Sequence, residues 1–311
     1  MNMSQRPIVV LGGSGHYGRH IVGRLLEEEV PVKVLTRNLA KARRILGDGP
    51  EILGGDITER ASVMEVLREA RALVICVSAF NWKSIRHLVL IERDAVLSVL
   101  EEAQKAGISR VVYMSVYDIR EDLLDSLHLH RFLPMARIKR ETERALAESD
   151  FNWTILGLPP SMEIFFAMIR GNTMWVPGGG PPALPTVSPV DVGEIAAQSV
   201  LRGDLAGKRL RVTGPEALSF PEAAKRIAAV TGRRITFSKM PLLPLQIAAV
   251  LTRPFNPFLP FLGYVLEAIE LMNRFPQDFA RAVPEDHRLL KATFAYTPTT
   301  LEMEARRRMA G

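Results

Sequence analysis

The chain is poor in cysteine: Cys76 is the single one in 311 residues. No disulfide can form within the chain, and no cysteine-based metal site can be built. A reducing compartment suits that usage. Long apolar runs are missing too. The stretch from Met240 to Met272 is rich in Leu, Ile, Phe and Val. Yet Pro241, Pro244, Pro254, Pro257 and Pro260 interrupt it, and Arg253, Glu267 and Glu270 lie within it. Nowhere does it reach the ~18–20 unbroken apolar residues of a spanning helix. Two readings of it stand, a lid or packing element over a substrate and a membrane-surface or oligomer contact. The first strand signal begins at Ile8, which leaves no room for a signal peptide. A cytoplasmic protein is expected, with peripheral membrane contact as the alternative.

Basic residues nowhere interleave with aromatics as a nucleic-acid groove requires, so no nucleic-acid partner is expected. The net charge of +6 comes from 40 Lys and Arg against 34 Asp and Glu. The excess arginines are scattered over helical segments, with a run at Arg306, Arg307 and Arg308. A solvated basic surface accounts for them, and attraction to anionic ligands or lipid headgroups is the sharper reading. There is no internal repeat and no low-complexity segment, and an apolar fraction of 47% excludes disorder.

What is present is alternation. Short apolar runs at Ile8–Leu11, Val32–Thr36, Glu51–Leu53, Leu73–Val77, Val111–Ser115 and Trp153–Leu156 are separated by helical patterns. That order signals a parallel sheet with crossover helices, and the unbroken β-branched runs suit strands buried on both faces. Ile21, Val22, Leu25 and Leu26 make one helical stripe. Leu88, Val96, Val99, Leu100 and Ala103 make another that stops at Gly107, and Met135, Ile138, Ala145 and Leu146 make a third. The pattern loosens after residue 156, where Pro159-Pro160 and Gly178 to Pro182 break it. It returns in a helix from Pro189 through Leu201, a strand over Arg209–Thr213, and a helix from Phe220 to Val230 between Ser219 as N-cap and Gly232 as stop. A proline-rich, mostly helical part ends the chain.

The first strand runs into Gly12-Gly13-Ser14-Gly15-His16-Tyr17-Gly18, a G-x-x-G-x-x-G skeleton that opens the helix of Ile21 and Leu25. Glycines there permit a tight turn and close approach of backbone to a diphosphate, and the helix start offers free N–H groups and partial positive charge. No Gly-Lys-Ser/Thr follows, which excludes a P-loop. The βαβ setting makes this a dinucleotide site. NAD sites place an acid at the end of the second strand. Here that strand ends Val34-Leu35-Thr36-Arg37 with Lys41 one turn on, so NADP(H) is expected in preference to NAD(H). The expected architecture is α/β. A Rossmann-type doubly wound parallel sheet covers 1–155, completed by 186–215. The smaller, mostly helical substrate or cap region takes 156–185 and 216–311. The ligand belongs in the crevice at the C-terminal ends of the strands.

From residue 7 to about 235 the chain resembles the atypical short-chain dehydrogenase/reductases, in their NmrA-like branch. The motifs are GGSGHYG at 12–18, LTRNLAKA at 35–42, GGDITER at 54–60, YMSV at 113–116, Lys139 within RIKRETE, NWTILGLP at 152–159 and SPVDVGEIA at 188–196. The resemblance implies that Asp56 and Ile57 lie at the adenine and that Val77, Ser78 and Ala79 cross the middle of the cofactor. It also implies that Ser115 stands beside the nicotinamide and that Lys139 bonds its ribose. Active dehydrogenases of that superfamily carry Tyr-x-x-x-Lys, in which the lysine readies the tyrosine as general acid. Here Met135 occupies the tyrosine's place, which argues against ordinary alcohol dehydrogenase chemistry. Tyr117, His128 and His130 are the candidate replacements, Tyr117 foremost beside Ser115 and Lys139. His128-x-His130 has no third ligand nearby, so no metal is expected.

Reducing a ketone makes an alkoxide that needs a proton donor. A reduced quinone is an aromatic oxyanion with a conjugate acid of pKa about 10, which survives without one. The leading expectation is therefore NADPH-dependent reduction of a hydrophobic quinone-like or conjugated carbonyl acceptor. The alternatives are a non-catalytic NADP(H)-sensing protein acting on a regulatory partner, and an accessory subunit of a membrane-associated complex.

Overall fold

A computed structural model describes residues 5–81, 83–118, 126, 128, 132–242, 259–274 and 277–310. Its centre is a parallel sheet of seven strands among the described residues: β1 (Ile8–Leu11), β2 (Val32–Thr36), β3 (Glu51–Gly54), β4 (Ala72–Ile75), β5 (Arg110–Val116), β6 (Asn152–Leu158) and Lys208–Arg211. From one edge the order is Lys208–Arg211, β6, β5, β4, β1, β2, β3. The order reverses between β1 and β4, whose registers run Ile8 with Ala72 through Leu11 with Ile75. That is where a doubly wound sheet opens its ligand crevice.

Alternation along β1 explains the layers. Ile8 and Val10 face α1 (Gly18–Glu27), packing with Ile21, Val22 and Leu25. Val9 and Leu11 face the other way, onto Val63 and Val66 of α3 (Arg60–Leu67) and Val96 and Val99 of α4 (Ala95–Lys105). All four β1 side chains are buried, as expected of a strand covered on both faces. Between β2 and β3 lies α2 (Leu39–Leu46), and α5 (Phe132–Ala147) precedes β6.

Past β6, a short α6 (Glu163–Ala167) leads into a second small sheet. In it, Thr173–Pro177 lies between Ile169–Arg170 and Thr236–Met240. The chain then crosses back as α7 (Pro189–Leu201), which lays Val192, Ile195 and Ala196 over the α1 face of the main sheet. Ser188 caps it, accepting from the Val190 N–H, with Pro189 at the first position. The next helix, α8 (Phe220–Thr231), is capped by Ser219 and stopped by Gly232 in the left-handed region at φ 66°. Phe165, Phe220, Met174 and Leu301 form a separate small core there. The chain ends in α9 (Leu259–Asn273), α10 (Gln277–Thr293) and α11 (Leu301–Ala310). No helix among the described residues is long and apolar enough to cross a membrane. The part of the apolar stretch from 243 to 258 lies outside the described residues.

The sequence reading differs from the structure in one important place. The stripe from Leu88 to Ala103 is not one helix. A 3₁₀ turn at Ile85–His87 is followed by a π-helical turn at Leu90–Asp94, and regular α-helix begins only at Ala95. The extra residue of a π turn rotates what precedes it relative to the helix beyond, and Glu92 is thereby buried, at 2% exposure. Five strands also differ at their ends: the third runs on to Gly54, the fourth covers Ala72–Ile75 rather than Leu73–Val77, the fifth and sixth extend to Arg110–Val116 and Asn152–Leu158, and the last covers Lys208–Arg211 rather than Arg209–Thr213.

Asp191 gives the fold a pH dependence. Its carboxylate sits in the first turn of α7 and accepts the Thr299 N–H at 2.9 Å and the Thr299 hydroxyl at 2.5 Å. Burial pushes its pKa from 3.8 to about 6, against the lowering effect of the Thr299 bonds. A raised folded-state pKa favours the neutral acid. Its contribution is whole below the unfolded value and is lost as pH rises through about 6. Asp191→Asn supplies a neutral group of the same shape, able to serve both Thr299 atoms. At pH 8 it will melt higher than the parent by up to about 2–3 kcal/mol of stability, and below pH 4 the two will coincide. Thermal melts across that range check this, and a gap that widens towards acid pH would refute it.

Candidate active site

The loop after β1 sits against the end of β4. Gly12 has φ 82°, and a Cβ there would lie 2.6 Å from the Cys76 carbonyl oxygen, so only glycine allows the contact. A Cβ on Gly18 would lie 2.1 Å from the Gly12 carbonyl oxygen, and one on Gly15 2.9 Å from the same atom. These glycines let α1 start directly under the loop. No side chain caps α1 and no acid stands in its first turn; the Arg19 and His20 N–H groups turn back onto the Gly15 and Tyr17 carbonyls, and the positive end of the helix stays open to an anion. These features fit a dinucleotide diphosphate. Ser14 is half-buried and Gly15 and His16 are exposed at this loop, with Gly13 packed on Val34.

At the end of β2, Arg37 is exposed, and Asp56 approaches its Nε at 3.8 Å. Asp56 also caps its own turn, accepting the Thr58 N–H and hydroxyl, each at 2.9 Å. Ile57 is half-buried beside it. Lys41 is exposed in the first turn of α2, its backbone N–H held by the Asn38 side chain at 2.9 Å. The structure thus gathers two cations and one carboxylate where the sequence promised two cations.

Beyond the loop opens a cleft of about 380 Å³. Its walls are apolar: Phe80, Met135, Leu158, Pro159, Leu184, Leu271 and Phe279. From α9, Tyr264 meets Phe80 edge to face at 6.4 Å, and Leu271 reaches the cleft. Val77 and Ser78 line it from the β4 end, while Ala79 is buried beside them. Polar groups are few, and Ser115 is the most telling. It is 6% exposed, lines the cleft, and its Oγ has no hydrogen-bond partner among the described residues. A buried hydroxyl left so costs free energy unless something supplies the missing bond.

Lys139 also lines the cleft, but it is buried. Its Nζ lies 2.8 Å from Glu92 Oε2 and donates to the Tyr113 hydroxyl at 3.2 Å. Burial alone would lower its pKa, yet Tyr113 and Glu92 outweigh that and hold it above the ordinary lysine value. It is a fixed cation. Met135, one helical turn earlier, is half-buried and borders the same cleft.

Tyr117 is a poor acid here. Its hydroxyl donates to Asp286 of α10 at 2.6 Å, and Arg211 completes the knot by donating to the same carboxylate at 2.9 Å. Burial and then Asp286 push its pKa upward. The structure therefore makes Tyr117 an anchor between β5 and α10 rather than a proton donor. His128 is in an exposed turn, and His130 lies outside the described residues. His16 is drawn away from acid chemistry too. It meets Ser161 Oγ at 2.9 Å and Glu163 at 3.4 Å, and burial, opposed by Glu163, lowers its pKa. Tyr17 is pushed up by burial, against a bond to Ser161. Among the described residues no cluster could hold a metal ion.

Sequence reasoning missed Glu92, Tyr113 and Asp286. For Glu92 a signal existed: an acid inside Leu88-Val89-Leu90-Ile91-Glu92 is out of place on an apolar stripe. For Asp286, one of many acids on a polar helix, there was none.

The sequence profile of a family described as NAD(P)H-binding matches residues 12–198. Among curated proteins, the chain is similar to the photosystem II assembly factor Ycf39 of Synechocystis sp. The two are 25% identical over 254 residues, or 80% of this chain and 75% of that protein. It is also 25% identical over 244 residues to the (4-alkanoyl-5-oxo-2,5-dihydrofuran-3-yl)methyl phosphate reductase of Streptomyces griseus, covering 75% of this chain and 77% of that one. A crystal structure of an NADPH-dependent quinone oxidoreductase from Escherichia coli, complexed with NADPH, shares the fold. Its TM-score is 0.73 at 18% identity, covering 97% of this chain and 99% of that one.

Proposed function

The chain belongs to the NAD(P)H-binding family, and on that premise we propose that it is an NADP(H)-dependent oxidoreductase acting on a hydrophobic quinone-like or conjugated carbonyl acceptor. Ser115 carries the reading: a buried hydroxyl without a partner among the described residues, in an apolar cleft at the strand ends beside the glycine loop. The Streptomyces relative is a reductase and the Escherichia coli protein of similar fold is a quinone oxidoreductase, which supports the reaction class.

When bound, the dihydronicotinamide supplies two electrons as hydride. The chain's residues do the rest. Gly12 to Gly18 and the start of α1 hold the diphosphate. Arg37 and Lys41 receive the 2′-phosphate; Asp56 holds only the Arg37 Nε, loosely at 3.8 Å. Lys139 gives a donor to the nicotinamide ribose, and the apolar walls exclude water. Ser115 donates to the acceptor oxygen on which charge develops. Among the described residues at the cleft, Met135 has no proton to give, Tyr117 is bound to Asp286, and burial pushes the Cys76 thiol up to about 12. A quinone suits such a site, because the reduced oxyanion, with a conjugate acid of pKa about 10, can leave and take its proton from water. Overall, acceptor, NADPH and one proton give reduced acceptor and NADP⁺.

Following NADPH absorbance with a soluble benzoquinone and with a simple ketone tests this. The quinone will be reduced, and the ketone on the order of 100-fold more slowly or not at all, the usual worth of a missing general acid. NADPH will bind about 10- to 100-fold more tightly than NADH. Tight NADPH binding with turnover of neither compound would refute the enzyme. It would favour a non-catalytic NADP(H) sensor acting on a protein partner, the reading Met135 supports.

A further inference from the structure

Glu92 is a buried acid placed by an irregular turn. The π turn at Leu90–Asp94 swings it inward, where its two oxygens serve different elements. Oε1 accepts the Ala79 N–H at 2.7 Å and the Ser78 hydroxyl at 3.3 Å. Oε2 holds Lys139 Nζ at 2.8 Å. The backbone carbonyl of Glu92 takes part as well, accepting from Thr142 of α5 at 3.4 Å. One carboxylate thus joins the turn after β4 to the lysine of α5, and both border the cleft.

The lysine's own helix offers no such restraint. Four residues before it stands Met135, which cannot hydrogen-bond as a tyrosine would. An ammonium has three hydrogens; among the described residues Glu92 takes one and Tyr113 another, which leaves one for a ligand in the cleft. We propose that Glu92 is the positioning residue of this site, setting the Lys139 ammonium and the Ser78–Ala79 turn in a single geometry for the cofactor. A π turn kept in a helix beside a cleft is a common mark of function. The inference rests on the reading of Lys139 as a cofactor ligand. It is tested by nucleotide binding, so it can fail while the hydride-transfer reading stands.

Among the described residues the groups that face Lys139 are Glu92 and Tyr113, with Tyr17, Cys76, Tyr117 and Asp118 bordering the same cleft. Glu92→Gln keeps the shape and an acceptor for the Ala79 N–H but removes the balancing charge. The buried lysine then titrates lower. NADPH affinity, measured by fluorescence titration, will fall about 10-fold near neutral pH, the loss of one charge-assisted contact. It will weaken further as pH rises from about 6 to about 9, a slope absent from the parent. In a Lys139→Met background the same change will cost no further affinity, because Gln still accepts the Ala79 N–H and the charge it lacks acted through the lysine.

Affinity unchanged at every pH, or an equal loss in both backgrounds, would overturn the inference. A merely structural ion pair would lower the melting temperature and leave affinity and its pH profile alone. Should Glu92→Gln fail to fold, Glu92→Asp keeps the charge but is one methylene too short to reach both partners. It will weaken NADPH without a pH slope, and parental affinity in that variant would equally overturn the proposal. A parent that binds NADPH but reduces no acceptor would sink the oxidoreductase and leave Glu92's role to these titrations.

Discussion

Gly18→Ala will give a folded protein that has lost measurable affinity for both NADPH and NADH. The Cβ it adds would stand 2.1 Å from the Gly12 carbonyl oxygen and 2.7 Å from the Gly13 Cα. Both are backbone atoms, so no side chain can swing aside, and the loop and helix start must separate by more than an ångström. The anion site exists only where these two are in register. Misplacement by about 1 Å in such an arrangement costs on the order of 100-fold, and on the proposed reading the loop and helix start are what hold the diphosphate. The main sheet does not depend on that contact, because Ile21, Val22 and Leu25 pack beyond it. Calorimetric titration with circular dichroism as the control decides the matter. Parental affinity in a folded variant would show that the diphosphate lies elsewhere.

Ser115→Ala will move activity and stability in opposite directions. On the proposed function, the rate with a quinone will fall about 100-fold at saturating NADPH, the order lost with a donor to a developing oxyanion. NADPH affinity will stay within a factor of about three, since the diphosphate and ribose contacts are untouched. At the same time the ligand-free protein will melt higher. Ser115 is 6% exposed and its hydroxyl has no partner among the described residues, and removing such a group relieves on the order of 1 kcal/mol. A serine that merely packed would show the melting change alone. A parental rate would remove Ser115 from the chemistry.

The fold was legible because its two periodicities are clean. β1 and β2 match the apolar runs residue for residue, and the helix read from Pro189 through Leu201 has those bounds in the structure. The glycine loop was legible for the same reason, since each of its glycines answers a backbone contact made within the loop and its neighbour strand. What escaped notice was long-range. The partner of Lys139 comes from a π turn that a 3.6-residue stripe passes over, and the partner of Tyr117 from α10, far along the chain. Sequence spacing carries no trace of such pairings. It proposed Tyr117 as an acid on its nearness to Ser115, whereas the decisive neighbour, Asp286, is 169 positions away.

The return of the chain through α7 and Lys208–Arg211 has a consequence for synthesis. Val192, Ile195 and Ala196 roof the face made by Ile21, Val22 and Leu25, and the last strand zips onto β6 from Lys208 against Thr154 to Arg211 against Gly157. A ribosome that has released only the first six strands holds a half-shell with a bare greasy side and an unpaired border. At about 5–20 residues per second this lasts several seconds. In that interval the nascent chain exposes apolar surface and a strand edge open to non-native contacts, and a truncation just after β6 would leave both exposed for good.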